Sequence, residues 1–163
     1  MKRARVLNDK ELKTVLNSTK MTRYQQRNKL IIMLSYCAGL RACEIASLRI
    51  RDVIGSDGKA TQTILLECWQ TKGSERQQAL VSEKLRKEIT KYVLEHRAKA
   101  LPDAPLLASQ KGGSFSSQTI QQLFRKLYGQ VGMDGASSHS GRRTMLTKLA
   151  ECGVDARVIP HLN

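Results

Sequence analysis

Cys37-Ala-Gly-Leu-Arg-Ala-Cys-Glu-Ile-Ala-Ser-Leu48 contains the end of one helix, a break and the start of another. Upstream of the break, Leu30, Ile31, Leu34, Cys37 and Ala38 recur at three- and four-residue steps, which predicts a helix over 24–38. Gly39 follows as the stopping residue, because glycine enters the left-handed conformation without a Cβ penalty. A short helix is expected over 42–48. Arg41 stands at its start, where unpaired backbone amides favour anions. Glu44 comes three residues later, placed to hold a guanidinium or the backbone. The same spacing also describes a surface ion pair, worth roughly 0.3 kcal/mol, and the segment alone leaves both readings open.

On the N-terminal side, Leu12, Val15 and Leu16 share one face of a helix expected over 8–19, with Asn8 or Asp9 as its cap. On the C-terminal side the periodicity changes. Thr61-Gln-Thr-Ile-Leu-Leu-Glu-Cys-Trp69 and Arg76-Gln-Gln-Ala-Leu-Val81 are rich in β-branched and apolar residues. Gln70-Thr-Lys-Gly-Ser-Glu75 between them has turn chemistry, which predicts a β-hairpin with Lys72 near its tip. Gly55-Ser-Asp-Gly58 marks an earlier turn. Helical spacing then returns, with Leu85, Ile89, Val93 and His96 behind a Ser82 cap. Ile120, Leu123, Phe124, Leu127 and Val131 follow a Ser116 or Ser117 cap. Further helices are expected over 139–152 and from Asp155, the last strained by Pro160. Helices, a small antiparallel sheet and more helices make a mainly helical α+β domain.

The charge is lopsided: 28 Lys+Arg against 14 Asp+Glu give a formal net charge of +14 in 163 residues. Such a surface repels itself unless an anion sits on it, and nucleic acid is the leading partner because bound phosphates release counterions. No stretch approaches the ~20 apolar residues of a membrane span. Aromatics are 4% of the chain, which weighs against an RNA-binding protein that stacks single-stranded bases. The loop around Gly112-Gly113 is not a nucleotide-binding P-loop. Cys37, Cys43, Cys68 and Cys152 show neither C-x-x-C nor zinc spacing and are read as reduced core thiols of a cytoplasmic protein.

Two further segments carry chemistry. In Ser138-His-Ser-Gly-Arg-Arg-Thr144, His139, Arg142 and Arg143 fall at i, i+3 and i+4 of a helix start. An arginine fork and an imidazole so placed can meet one phosphodiester, although a solvated basic helix end has the same composition. Lys72 on the hairpin is either a solvated turn residue or a proton donor aimed into a groove.

These segments resemble the tyrosine recombinase (phage integrase) family. Gly39-Leu-Arg-x-x-Glu-Ile-x-x-Leu48 looks like its first arginine box, and Thr71-Lys-Gly73 with Arg76 looks like its hairpin lysine. His139-x-x-Arg142 is similar to its histidine-arginine box. Gly153-Val-Asp-x-x-Val-Ile159 resembles the approach to its last boxes. The resemblance implies a catalytic-core fold in which Arg41 and Arg142 grip the scissile phosphate. His139 assists, Lys72 protonates the leaving 5′ oxygen, and Glu44 orients the site. Arg76, Lys111 and Arg143 are expected DNA contacts. It implies no metal or cofactor, no small-molecule substrate, double-stranded DNA as partner and other recombinase protomers as further ones.

The family's nucleophilic tyrosine is not recognised. Tyr24, Tyr36, Tyr92 and Tyr128 all precede the histidine-arginine box, and the chain ends at Asn163. Residues 1–163 are therefore expected to form one catalytic-type domain without the tyrosine segment or the preceding core-binding domain. A duplex-binding remnant without catalysis is the rival reading.

Overall fold

The computed structural model describes residues 2–155. Helix α1 (Asp9–Ser18) starts at Asn8, whose side chain accepts from the Glu11 amide while the Glu11 carboxylate takes the Asn8 amide. This reciprocal cap satisfies two amides the helix cannot pair itself. Helix α2 (Gln25–Ala38) is the centre of the molecule. Its Leu30-Ile-Ile-Met-Leu34 run is apolar on every side, and all five residues are buried. A helix apolar all round has to be enclosed, and α5 (Glu83–His96) and α7 (Ser140–Glu151) pack against it. The sequence reading gave α2 one buried face; the structure buries nearly its whole girth. Gly39 ends it at φ 67°, as expected.

Helix α3 (Ala42–Ser47) follows at once. The single-turn α4 (Ile50–Val53) is an element that periodicity did not reveal, being too short to show a period. Strands β1 (Thr63–Leu66) and β2 (Gln77–Leu80) pair antiparallel, Thr63 opposite Leu80 and Leu66 opposite Gln77. The ladder is shorter than its apolar run suggested. At Glu67 the chain leaves it for a 3-10 turn over Cys68–Gln70, where the Gln70 side chain takes the Glu67 amide at 2.8 Å. Residues 67–76 thus form a broad loop rather than a tight turn. Helix α6 (Ser117–Gln130) starts at a Ser116 cap, and Ile120, Phe124 and Leu127 enter the core. The helix expected from Asp155, with Pro160 and His161, lies outside the described residues apart from Asp155 itself.

The cysteine expectation needs correction. All four thiols are free, but only Cys37 and Cys43 are half-buried, and burial raises both of their pKa values. Cys68 sits in the turn beyond the ladder and Cys152 just past the end of α7, so both are exposed. Among the described residues no helix is long and apolar enough to cross a membrane.

Candidate active site

The α2–α3 junction builds the site. Gly39 turns the chain in the left-handed region, and Arg41 follows as the N-cap residue of α3, with extended backbone. Glu44, fully buried, holds it twice: one carboxylate oxygen accepts from the Arg41 amide at 2.8 Å, the other from the Arg41 guanidinium at 3.0 Å. The surface-pair alternative is thereby excluded, since Glu44 has no exposed surface.

Arg142 arrives from α7. Its guanidinium donates to the Gly39 carbonyl at 2.8 Å, across 103 residues of sequence. Burial lowers its pKa, the neighbouring Arg41 charge pushes the same way, and Glu44 opposes both. Two guanidinium groups therefore lie within electrostatic reach of each other, and the buried carboxylate bonded to Arg41 lies within electrostatic reach of Arg142 as well. Like charges held together in this way favour a bound anion.

A residue the sequence reading passed over permits this. Gly141 packs so tightly on α2 that a Cβ there would lie 2.1 Å from the Ser35 hydroxyl oxygen and 2.9 Å from the Ser35 carbonyl carbon. Only glycine lets α7 approach that closely, and Arg142 is the next residue. The signal in the sequence was an isolated glycine inside a helical pattern, which often marks a close approach.

His139 is the N-cap residue of α7 and is exposed, its amide bonded to the Ser137 hydroxyl at 3.3 Å. Arg143 turns elsewhere: its guanidinium donates to the Ala4 carbonyl at 2.8 Å. There it helps fix the N-terminal segment, whose Leu7 amide bonds Thr144 Oγ1 at 3.0 Å. Among the described residues no carboxylate pairs with Arg143; its partner is the Ala4 backbone carbonyl, on a different segment from the Gly39 carbonyl that Arg142 meets. The reason is geometric, since i+3 and i+4 diverge by about 100° around a helix.

Lys72 is exposed on the 67–76 loop and, among the described residues, makes no hydrogen bond or ion pair. The base of that loop is fixed. The buried Gln70 amide donates to the Ser47 carbonyl at 3.1 Å and to Asp52 Oδ2 at 2.9 Å. Thr71 Oγ1 closes the loop on the Glu75 carbonyl at 2.7 Å. Asp52 is itself bound by the Arg49 amide and guanidinium, and Arg49 lies over Trp69 at 5.2 Å. Arg49-x-x-Asp52 repeats the spacing of Arg41-x-x-Glu44, a signal available in the sequence but not taken up. Arg76 is exposed and pairs with Glu67 at 3.0 Å; Lys111 is exposed in the loop before α6.

The tyrosines are accounted for. Tyr36 and Tyr128 are buried with their hydroxyls 3.1 Å apart, and burial pushes Tyr128 up to about 12 and Tyr36 further up. Tyr92 is buried in α5, and Tyr24 stacks under Arg27 at 4.2 Å.

The phage integrase family model matches residues 5–163. The chain belongs to this family. Transposase A from the Staphylococcus aureus transposon Tn554 is 28% identical over 97% of this chain and 44% of its own length. Tyrosine recombinase XerC of Methylobacterium sp. (strain 4-46) is 31% identical over 83% of this chain and 41% of its own. Among solved structures, XerA recombinase covers 99% of this integrase-family chain at a TM-score of 0.79 and 21% identity. XerH recombinase bound to its difH substrate covers 99% at 0.72 and 20% identity. At those identities the likeness is one of fold. The chain spans less than half the length of these curated relatives and about half that of the two structures.

Proposed function

We propose that this domain grips one phosphodiester of duplex DNA for strand cleavage and rejoining in site-specific recombination. The observation that carries the reading is the convergence of Arg41 and Arg142 beside the single buried carboxylate of Glu44. Phosphoryl transfer depends on positioning and on charge stabilisation at the non-bridging oxygens, and two guanidinium forks supply both. Glu44 sets the direction of Arg41 and offsets the repulsion between the two cations. His139, at the start of the helix that carries Arg142, donates a hydrogen bond or a proton. Lys72, carried by the anchored hairpin loop, protonates the leaving 5′ oxygen. Arg76 and Lys111 contact flanking phosphates. XerH, which shares this fold, is bound to its difH substrate, which supports DNA as partner. Other recombinase protomers complete the assembly, and the setting is the DNA-containing cytoplasm.

The placement of the four tyrosines, two facing each other in the core, one buried and one stacked on arginine, supports an attacking hydroxyl that none of them supplies. That placement also favours a second reading, a duplex-binding remnant without strand transfer.

Duplex affinity of the wild type and of Arg41→Ala/Arg142→Ala tests the grip. A weakening of roughly 10²-fold or more is expected from two lost charge-assisted contacts, and equal affinity would remove the site. A nicked suicide duplex tests the transfer step. No covalent adduct on denaturing gels is expected from residues 1–163, and an adduct would show that one of their own tyrosines attacks.

A further inference from the structure

Arg41 and Lys72 stand on different elements, and a line of buried polar groups joins them. Helix α3 is a strut of six residues, about 9 Å long at the rise of an α-helix. At its start Glu44 holds Arg41. At its end the Ser47 hydroxyl donates to the Glu44 carbonyl at 3.0 Å, and the Ser47 carbonyl accepts from the Gln70 side chain at 3.1 Å. Gln70 is 2% exposed, and its amide is fully engaged. Its Oε1 takes the Glu67 amide at 2.8 Å, while Nε2 donates both to Ser47 and to Asp52 Oδ2. Thr71, also buried, closes the loop on the Glu75 carbonyl, and Lys72 is the next residue.

A buried amide is a costly way merely to fill space. Its groups give up water, and an apolar side chain of similar size avoids that cost. What a fully bonded amide adds is direction, because bonds shielded from water are strong and each restricts the group further. Asp52 cannot turn away from Gln70, since the Arg49 amide at 2.9 Å, its Nε at 3.3 Å and its Nη2 at 3.1 Å all hold it. The exposed Arg76–Glu67 pair on the same loop contributes little by comparison.

We propose that Gln70 and Thr71 are positioning residues for Lys72, fixing its distance from the phosphate held by Arg41 and Arg142. This rests on the reading of Lys72 as proton donor to the leaving 5′ oxygen, and adds what aims it. One end of α3 places the phosphate grip and the other end places the loop. The two parts of the site thereby keep one spacing, although α4 and β1 lie between them in sequence.

A nicked duplex with a 3′-phosphate on one side of the nick and a nucleoside 5′-aldehyde on the other reads this spacing without strand cleavage. The aldehyde carbon stands where the leaving oxygen is attached. A lysine amine that reaches it condenses with loss of water, and cyanoborohydride adds hydride to the imine, leaving a stable secondary amine. Peptide mass spectrometry then gives the share of adduct on each lysine. Wild type, Gln70→Met, Thr71→Val and Thr71→Ser are compared at saturating duplex, with circular dichroism as the control for folding. Wild type is expected to carry most of its adduct on Lys72. In Gln70→Met that share should fall roughly 10-fold, since a misplacement of about 1 Å costs up to 10²-fold. Thr71→Val should lower it too, while Thr71→Ser, which keeps the hydroxyl, should match wild type. A purely structural role would lower the total adduct and leave the shares unchanged. An unchanged Lys72 share in folded Gln70→Met overturns the positioning while the proton-donor reading stands. Should that variant not fold, equal shares in Thr71→Val and Thr71→Ser overturn it. Wild-type adduct spread over the lysines with no excess at Lys72 would sink the proton-donor reading itself, and the positioning with it.

Discussion

Glu44 has no exposed surface and two bonds to Arg41, so Glu44→Ala strips a buried carboxylate from two neighbouring cations. Breaking a buried pair from one side costs about 3 kcal/mol. Urea unfolding should show that loss, and Glu44→Gln, which keeps an acceptor for the Arg41 amide, should show less. The two buried phenols give a pH prediction. Their folded pKa values lie above that of a free tyrosine, about 10, with Tyr128 at about 12. The folded state therefore keeps protons that the unfolded chain releases, and stability present below pH ~10 is lost as the pH rises toward 12. The Tyr128 shift alone corresponds to roughly 2–3 kcal/mol. In Tyr36→Phe/Tyr128→Phe the alkaline fall in urea stability should be shallower; an identical fall would show that the phenols do not set it. At this scale the sequence showed which residue types mattered. Burial, which separates Glu44 from an ordinary surface acid and Cys37 from Cys68, depends on what packs over each residue.

Among the elements, α7 and the hairpin loop carry Arg142 and Lys72, two residues of the proposed site, and each element depends on one close contact. Gly141→Ala forces a methyl group into Ser35 and must shift α7 along α2. Overpacking of that kind costs about 1–3 kcal/mol. It should also draw Arg142 away from the Gly39 carbonyl, so duplex affinity should fall more than the stability loss alone explains. Wild-type affinity in a folded Gly141→Ala protein would show that Arg142 does not need this approach. Gln70→Ala leaves Asp52 short of a donor and frees the Ser47 carbonyl, a loss of about 1–3 kcal/mol. Trypsin should then cut after Lys72 or Arg76 faster than in wild type; an unchanged rate would mean Gln70 does not fix the loop. Helices α1, α2, α5 and α6 were legible because caps and apolar spacing act within a few residues. The hairpin was legible only in outline, since the tertiary bonds of Gln70 end the ladder early. The single turn of α4 is too short for any period.

For the whole molecule the net charge of +14 becomes a binding prediction. If about five cations reach phosphates, raising salt from ~50 to ~200 mM should weaken duplex binding roughly 10²–10³-fold. A titration that is flat in salt would remove the electrostatic basis of the reading. The sequence alone determined the helical α+β class, the starts and stops of α1, α2, α5 and α6, and the order of the charged boxes, because those follow from chemistry local to each segment. The tertiary structure decided which boxes meet. It joined Arg41, Glu44 and Arg142, turned Arg143 to the N-terminal segment, and gathered Arg27, Lys111 and Lys126 into one groove. Those choices depend on contacts across 81 to 139 residues, and over such separations the position of a side chain is set by how whole helices pack.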